Sequence, residues 1–317
     1  MRAVAMFSGG LDSALAIKLI QDQGVEVVAL YVDIGFEANP EKREQLARLA
    51  QNLGVEFRVV EAVEEYIEKI LFSPRYGYGK NMNPCIDCHG FMIKKGFEVM
   101  EEVGGRFIIT GEVVGQRPMS QRLPALFSVN KLVPNPDLVV RPLSAKLLPP
   151  TLPEREGWID REKLLGISGR GRQVQLQLAK KYNLEGFQSP AGGCLLTDIQ
   201  FSRRLKNLGK ITPAEIPLLR VGRHFKIEGA TFIISRHRDE NRVIGEYGGD
   251  RFIKGVPQFP GPLGVVEKVE GLSPSHFQLL ADLVVSYSRF GEGEVLIEGK
   301  AVKGRKREKG EWGKYLV

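Results

Sequence analysis

The sequence predicts an α/β protein in which a parallel sheet is sandwiched by helices and followed by a smaller α+β domain. Three observations lead there. Continuous apolar runs alternate with amphipathic segments through the first half of the chain, the pattern of strands buried on both faces and joined by crossover helices. Beyond about residue 210 the texture changes to short strand-like runs separated by polar turns. At 317 residues the chain is too long for one small core and fits two domains, placed at 1–210 and 211–317.

The elements follow in order. "RAVAMF" is the first strand, residues 12–23 form a helix, "VEVVALYVD" is the second strand, residues 41–53 form a helix, and "EFRVVEA" is the third strand. "RFIITGE" and "LVVRPL" supply two more strands. Between the third strand and these, "SPRYGYGKNMNPCIDCHGF" is rich in Gly, Pro, Asn and aromatics and reads as a long functional loop that gives way to a helix at Phe91. "ISGRGRQVQLQLAKKYNL" reads as a basic helix and "FQSPAGGCLLTD" as a second glycine-bearing loop. In the second domain "HFKIEGATFIISR", "RVIGEY" and "RFIKGV" read as short strands, and "KGRKREKGEWGKYLV" as a mobile basic arm. No internal repeat is present.

The formal net charge of +7 favours an acidic partner such as nucleic acid. No apolar run approaches the length of a membrane span, and the first strand begins almost at Met1, which leaves no room for a leader; the expectation is a cytoplasmic protein without a membrane partner. The three cysteines, Cys85, Cys88 and Cys194, are an odd number, which argues for reduced thiols with a chemical task rather than a disulfide framework.

"MFSGGLDSALAIKLI" places its glycines where a strand hands over to a helix. Gly9 and Gly10 let backbone N–H groups approach a ligand, the helix start adds positive potential, and Ser8 and Ser13 add hydroxyl donors, so a phosphate fits. Asp12 would instead orient a magnesium ion bridging the phosphates. No Walker-type lysine is present, which disfavours a kinase or GTPase. The string "SGGLDS" after a first strand resembles the pyrophosphate-binding loop (PP-loop) of the N-type ATP pyrophosphatases, the adenine nucleotide alpha hydrolase-like fold. "TGEVVGQRPMSQ" and "VVRPLSAK" are similar to the corresponding segments of the tRNA 4-thiouridine synthetases, but the N-terminal RNA-binding region of those enzymes is missing. The resemblance implies an ATP-dependent tRNA sulfurtransferase that adenylates a uridine carbonyl, releases pyrophosphate and replaces the oxygen with sulfur to form 4-thiouridine. It implies ATP and Mg2+ as cofactors, Thr110 and Gly111 as further lining of the cleft, and Lys94 or Lys95 as a source of positive charge. tRNA is the expected partner, together with a sulfur donor, either sulfide or a cysteine desulfurase.

"RVGRHFKIEGATFIISRHRDEN" resembles an RNA-binding module of ribosome quality-control proteins. That resemblance assigns phosphate contacts to Arg220, Arg223, His224, Lys226, Arg236, His237 and Arg238, and the basic helix would add Arg170, Arg172, Lys180 and Lys181. Cys85 and Cys88 have the spacing of two thiolates that converge on one metal, and Gly192 and Gly193 would bring Cys194 close. Three readings stay open. Three thiolates can hold a [4Fe-4S] cluster with one open iron; His89 can complete a zinc site; or the cysteines work without metal, through a persulfide resolved as a disulfide. Alternatives at the level of function are 2-thiouridine synthesis and an RNA-binding quality-control factor whose nucleotide domain senses ATP. Oligomeric state is not legible.

Overall fold

The structure, a computed structural model, describes residues 1–187, 193–247 and 251–317. The chain divides into two units, Met1–Thr197 and Asp198–Val317.

The first unit holds the strands β1 (Arg2–Met6), β2 (Glu26–Asp33), β3 (Glu56–Glu61), β4 (Phe107–Thr110) and β5 (Val139–Val140), and the helices α1 (Leu11–Gln21), α2 (Lys42–Leu53), α3 (Val63–Tyr66), α4 (Cys85–Glu102), α5 (Leu123–Asn130), α6 (Leu152–Arg155) and α7 (Gln173–Lys181). The strands pair in the order β3-β2-β1-β4-β5, every pair parallel. All five occur where the apolar runs place them. Ala3, Ala5, Phe107 and Ile109 share one face and pack with Ile17 of α1 and with Leu46 and Leu49 of α2. α4 lies on the other face, where a Cβ on Gly96 would come within 2.8 Å of the Met6 sulfur; only glycine lets the helix approach so closely. The strand order reverses at β1, between β2 and β4. In an open parallel sheet, such a reversal leaves a crevice beyond the carboxyl ends of the strands.

The second unit contains α8 (Ile199–Leu208), α9 (Ile216–Arg220), β6 (Arg223–Ile227), β7 (Ala230–Ile234), α10 (Arg238–Glu246), β8 (Phe252–Pro257), β9 (Gly264–Glu267), α11 (Pro274–Ser286), β10 (Glu292–Ile297), β11 (Lys300–Arg305) and α12 (Lys309–Gly313). Its sheet is antiparallel in the order β11-β10-β8-β9-β7-β6. Phe225, Phe232 and Val295 from the strands meet Leu280 and Val284 of α11 in the core.

Four sequence expectations are corrected. The units part at 197/198 rather than 210/211, because α8 belongs with the second: Phe201 and Leu205 are buried, and Arg204 donates to the carbonyls of Leu219 and Gly222, both at 3.0 Å. "RVIGEY" falls largely within α10 rather than in a strand, consistent with Asp239 and Glu240 in its first turn and a buried Ile244. α4 starts at Cys85, not Phe91, so Cys85 and Cys88 ride its first turn. The tail is no mobile arm: β11 pairs with β10, Trp312 is 2% exposed, and the Val317 N–H donates to His224 O at 3.0 Å. Among the described residues no helix is long and apolar enough to cross a membrane.

Candidate functional site

The loop after β1 opens onto the crevice. Gly9 adopts φ +74°, and α1 begins at Gly10 without a side-chain cap, which leaves its positive end open to a ligand. Ser13 Oγ donates to Gly10 O at 2.9 Å, and Ser8 Oγ lies 3.3 Å from Ser13 Oγ, so both hydroxyls border the same turn. Asp12 Oδ2 accepts from Gln116 Nε2 at 2.5 Å, and Gln116 Oε1 accepts from the fully buried Gln175 of α7 at 3.1 Å. Asp12 Oδ1 is buried with no hydrogen-bond partner. An orphaned carboxylate oxygen beside a phosphate-type loop is a fitting ligand for Mg2+.

β4 brings the next group. A Cβ on Gly111 would lie 2.6 Å from Ser13 N and 2.8 Å from Asp12 C, so only glycine lets the β4 end pack on the start of α1. Thr110 is buried and donates to Glu112 Oε2 at 3.1 Å. Glu112 also accepts from Arg141 Nε at 2.8 Å, and its other oxygen meets His89 Nδ1 at 2.8 Å. Burial alone would raise this carboxyl, but Arg141 and His89 outweigh it and hold it at about 2. The ionised carboxylate can only accept, so His89 carries a proton on Nδ1, and its Nε2 lies 3.2 Å from Ser120 Oγ.

The thiols stand one residue from this network. Cys85 and Cys88 occupy the first turn of α4, and the preceding loop is pinned by Asp87, which accepts the Arg75 and Tyr76 N–H groups at 2.8 and 3.0 Å. Asn83 Nδ2 donates to Cys85 Sγ at 3.2 Å. Cys194 pairs with Glu37 in a short antiparallel bridge closed by Leu195 N to Phe36 O at 2.9 Å and Ala38 N to Gly193 O at 2.6 Å. A Cβ on Gly193 would clash with the Glu37 carboxylate, so this glycine does permit the close approach; Gly192 lies outside the described residues. All three cysteines are free and half-buried. Burial, and then the neighbouring Cys194 and Cys85, push the Cys88 thiol far above its ordinary value; burial, with Cys85 and Glu37 adding, raises Cys194 to about 11. Buried Tyr66 lies beside Cys88.

Some expected residues do not join the site. Lys94 is exposed on α4, and Lys95 is engaged by Glu65 at 2.5 Å and Glu98 at 2.8 Å. His89 Nδ1 is bonded to Glu112, and its Nε2 lies 3.2 Å from Ser120 Oγ. Among the described residues no group of three or more His, Cys, Asp or Glu side chains is arranged to hold a metal ion. His224 is 1% exposed, its Nε2 faces the carbonyls of Leu218 and Val221, and burial depresses it to about 3; it is a core group, not a phosphate contact. Arg236, His237 and Arg238 are exposed, as are Arg170, Lys180 and Lys181; Arg172, Arg220, Arg223 and Lys226 are half-buried. Sequence reasoning missed Glu37, Glu112, Gln116, Arg141 and Gln175, although Glu112 and Gln116 stand inside a segment it singled out.

Comparison with known proteins agrees with this division. Residues 1–123 match the family model described as tRNA methyl transferase HUP domain, and residues 222–311 match the NFACT protein RNA binding domain. The tRNA-specific 2-thiouridylase MnmA of Tropheryma whipplei (strain TW08/27) is 33% identical over 98 residues, covering 28% of this chain and 27% of that protein. The enzyme of the same name from Listeria monocytogenes serotype 4a (strain HCC23) is 25% identical over 140 residues, covering 41% of this chain and 38% of that protein. The chain thus spans well under half the length of these relatives. A solved 4-thiouridine synthetase–RNA complex with bound ATP aligns over 69% of this chain and 52% of its own, with TM-score 0.45 and 20% identity. Residues 1–123 are thus similar to a HUP domain described for tRNA methyl transferases, and residues 222–311 to the NFACT RNA binding domain.

Proposed function

We propose that the chain thiolates a uridine of tRNA in two stages: ATP-dependent activation at the loop after β1, then sulfur transfer from the cysteines around α4. One observation carries the reading. Cys88 is followed by His89, which bonds Glu112; Glu112 follows Gly111, and Gly111 packs on Asp12 and Ser13. Two to three residues of structure thus link a thiol cluster to a phosphate-type loop.

In this reading Ser8, Gly9, Gly10 and Ser13 receive the phosphates of ATP, Asp12 Oδ1 holds Mg2+, and Thr110 and Gly111 line the cleft. A uridine carbonyl oxygen attacks the α-phosphate and pyrophosphate leaves; positioning and charge neutralisation do most of the work. Sulfur then replaces the adenylylated oxygen and AMP departs. Cys85, Cys88 and Cys194 are the thiols that would hold a [4Fe-4S] cluster, although their side chains are not arranged as a metal site in the structure; such a cluster, when bound, would supply an iron for sulfur. A persulfide on one cysteine, resolved by a second, is the metal-free route through the same three residues. Iron and labile-sulfide analysis of anaerobically purified protein separates the two.

Similarity in "TGEVVGQRPMSQ" supports oxygen 4 as the target, whereas the relatives are named for 2-thiouridine. The HUP family match over residues 1–123 contains the loop after β1, which either regiochemistry requires, so we retain 4-thiouridine and let product analysis decide. The NFACT-type domain and the exposed cations of α7 would hold the tRNA, and sulfide or a cysteine desulfurase would supply sulfur. The proposed setting is the cytoplasm.

The test separates the stages. Asp12→Ala should abolish tRNA-dependent pyrophosphate release without altering the fold, while Cys194→Ala should keep ATP binding and lose sulfur transfer. Pyrophosphate release retained by Asp12→Ala contradicts the assignment of the loop. No release by the wild type with tRNA, ATP and Mg2+ points instead to an RNA-binding factor that senses ATP.

A further inference from the structure

The second unit carries a groove of about 730 Å³, lined by the turn between β7 and α10, the β8–β9 connection and the segment that follows α11. Two chemistries meet in it. Arg236, His237, Arg238 and Arg289 supply positive charge, and Phe259 and Tyr287 supply aromatic surface.

The cations are not equivalent. Arg236 is tied to the buried carboxylate of Glu240 at 2.5 Å, which also stands 3.5 Å from His237. Among the described residues no carboxylate pairs with Arg238 or Arg289; the Arg289 guanidinium lies 5.0 Å from the centroid of Phe290. The groove thus keeps unneutralised charge from two arginines. The rings differ too. Tyr287 is already covered by Arg223 at 4.6 Å and packed near Phe225. Phe259 meets Phe290 edge-on at 5.3 Å, and a Cβ on Gly261 would come within 2.8 Å of its ring, with Gly293 just as crowded, so both glycines make a fixed seat for it. Asn241 of α10 accepts the Leu263 N–H at 2.9 Å and donates to Gly261 O at 3.2 Å. These bonds tie the two walls together, so the groove is formed before anything enters it.

We propose that this groove takes an unpaired RNA nucleotide with its flanking phosphates, the base against Phe259 and the phosphates on Arg238 and Arg289. A duplex keeps its bases stacked inside and offers a broad phosphate surface, whereas a concave site of this volume, with one seated ring and two unneutralised arginines, matches a splayed nucleotide. The proposal rests on the RNA-binding reading of this domain and not on the thiolation chemistry.

The test uses the full chain and a fluorescein-labelled single-stranded RNA 12-mer, alone and annealed to its complement, with anisotropy followed across a salt series. Phe259→Leu should weaken binding of the single strand roughly tenfold, as loss of one base–aromatic stack does, and leave the salt slope unchanged. Arg238→Ala/Arg289→Ala, on exposed positions that leave the fold intact, should flatten the log–log salt slope by about 1.4, or about 0.7 per phosphate. The duplex should bind more weakly and be indifferent to Phe259→Leu. Single-strand binding by both variants that matches the wild type overturns the proposal, as does a duplex that binds as tightly as the single strand. Groove variants that lose an acidic peptide but keep RNA would assign the surface to a protein and also overturn it. If wild type binds the 12-mer as described yet forms no thionucleoside, the catalytic reading fails and the groove stands.

Discussion

Asp12, in the first turn of α1, and Glu112, two residues beyond β4, are carboxylates whose surroundings give them different work. Asp12 has one oxygen fixed by Gln116 and the other buried without a partner, so it is poised for a cation. Glu112 is saturated by Arg141, His89 and Thr110, so it is poised for nothing further and instead orders the groups around it. Its folded value of about 2 lies below the ordinary 4.5. The stabilisation it contributes is therefore fully present above about pH 4.5 and is lost as the pH falls toward 2. Glu112→Gln should destabilise the first unit by about 3–5 kcal/mol, because Arg141 is left as an unpaired buried charge. Denaturant melts at pH 7 and pH 3 check both statements: the gap between variant and wild type should narrow at the lower pH. An equal gap at both would remove the buried ion pair as the cause.

At the scale of elements, the site depends on β4 lying against the start of α1. Gly111→Ala places a methyl group against the backbone of Ser13 and Asp12, which cannot rotate away, so the phosphate loop must shift. We expect ATP affinity to fall at least tenfold by calorimetry with little loss of folded protein; wild-type affinity would show that the loop tolerates displacement. The glycine loop and the five strands were legible in the sequence because apolar continuity and glycine placement are local signals. The start of α4 was not. Pro84, Cys85 and Asp87 read as loop residues, yet Pro84 sits at the N-cap, and the Asp87 carboxylate accepts two N–H groups from the preceding loop and fixes the first turn. That shift places both cysteines in the first turn of a helix and turns Lys94 to solvent. Glu112, Arg141 and Gln175 were beyond reach for another reason: their partners are distant in sequence and meet only through the sheet.

At the scale of the whole molecule, the proposed activation site and the basic, aromatic groove lie in different units of the chain. The change of texture announced two domains, but the boundary differs because α8 is amphipathic and its partners, α9 and the turn at Gly222, come later in the chain. The tail misled in the same way, since its charges are exposed while Trp312 is buried in the core of the second unit. Trp312→Ala should cost that unit about 3–5 kcal/mol; a melting temperature equal to wild type would return the tail to the status of an arm. The central claim is that this chain moves sulfur onto tRNA. Its most direct test is nucleoside mass spectrometry with absorbance detection on unmodified tRNA, incubated anaerobically with iron-reconstituted protein, ATP, Mg2+ and sulfide. The account predicts a thionucleoside, 4-thiouridine by the present assignment, that disappears with Asp12→Ala and with Cys194→Ala; tRNA without any thionucleoside, from protein with its iron confirmed, would contradict it.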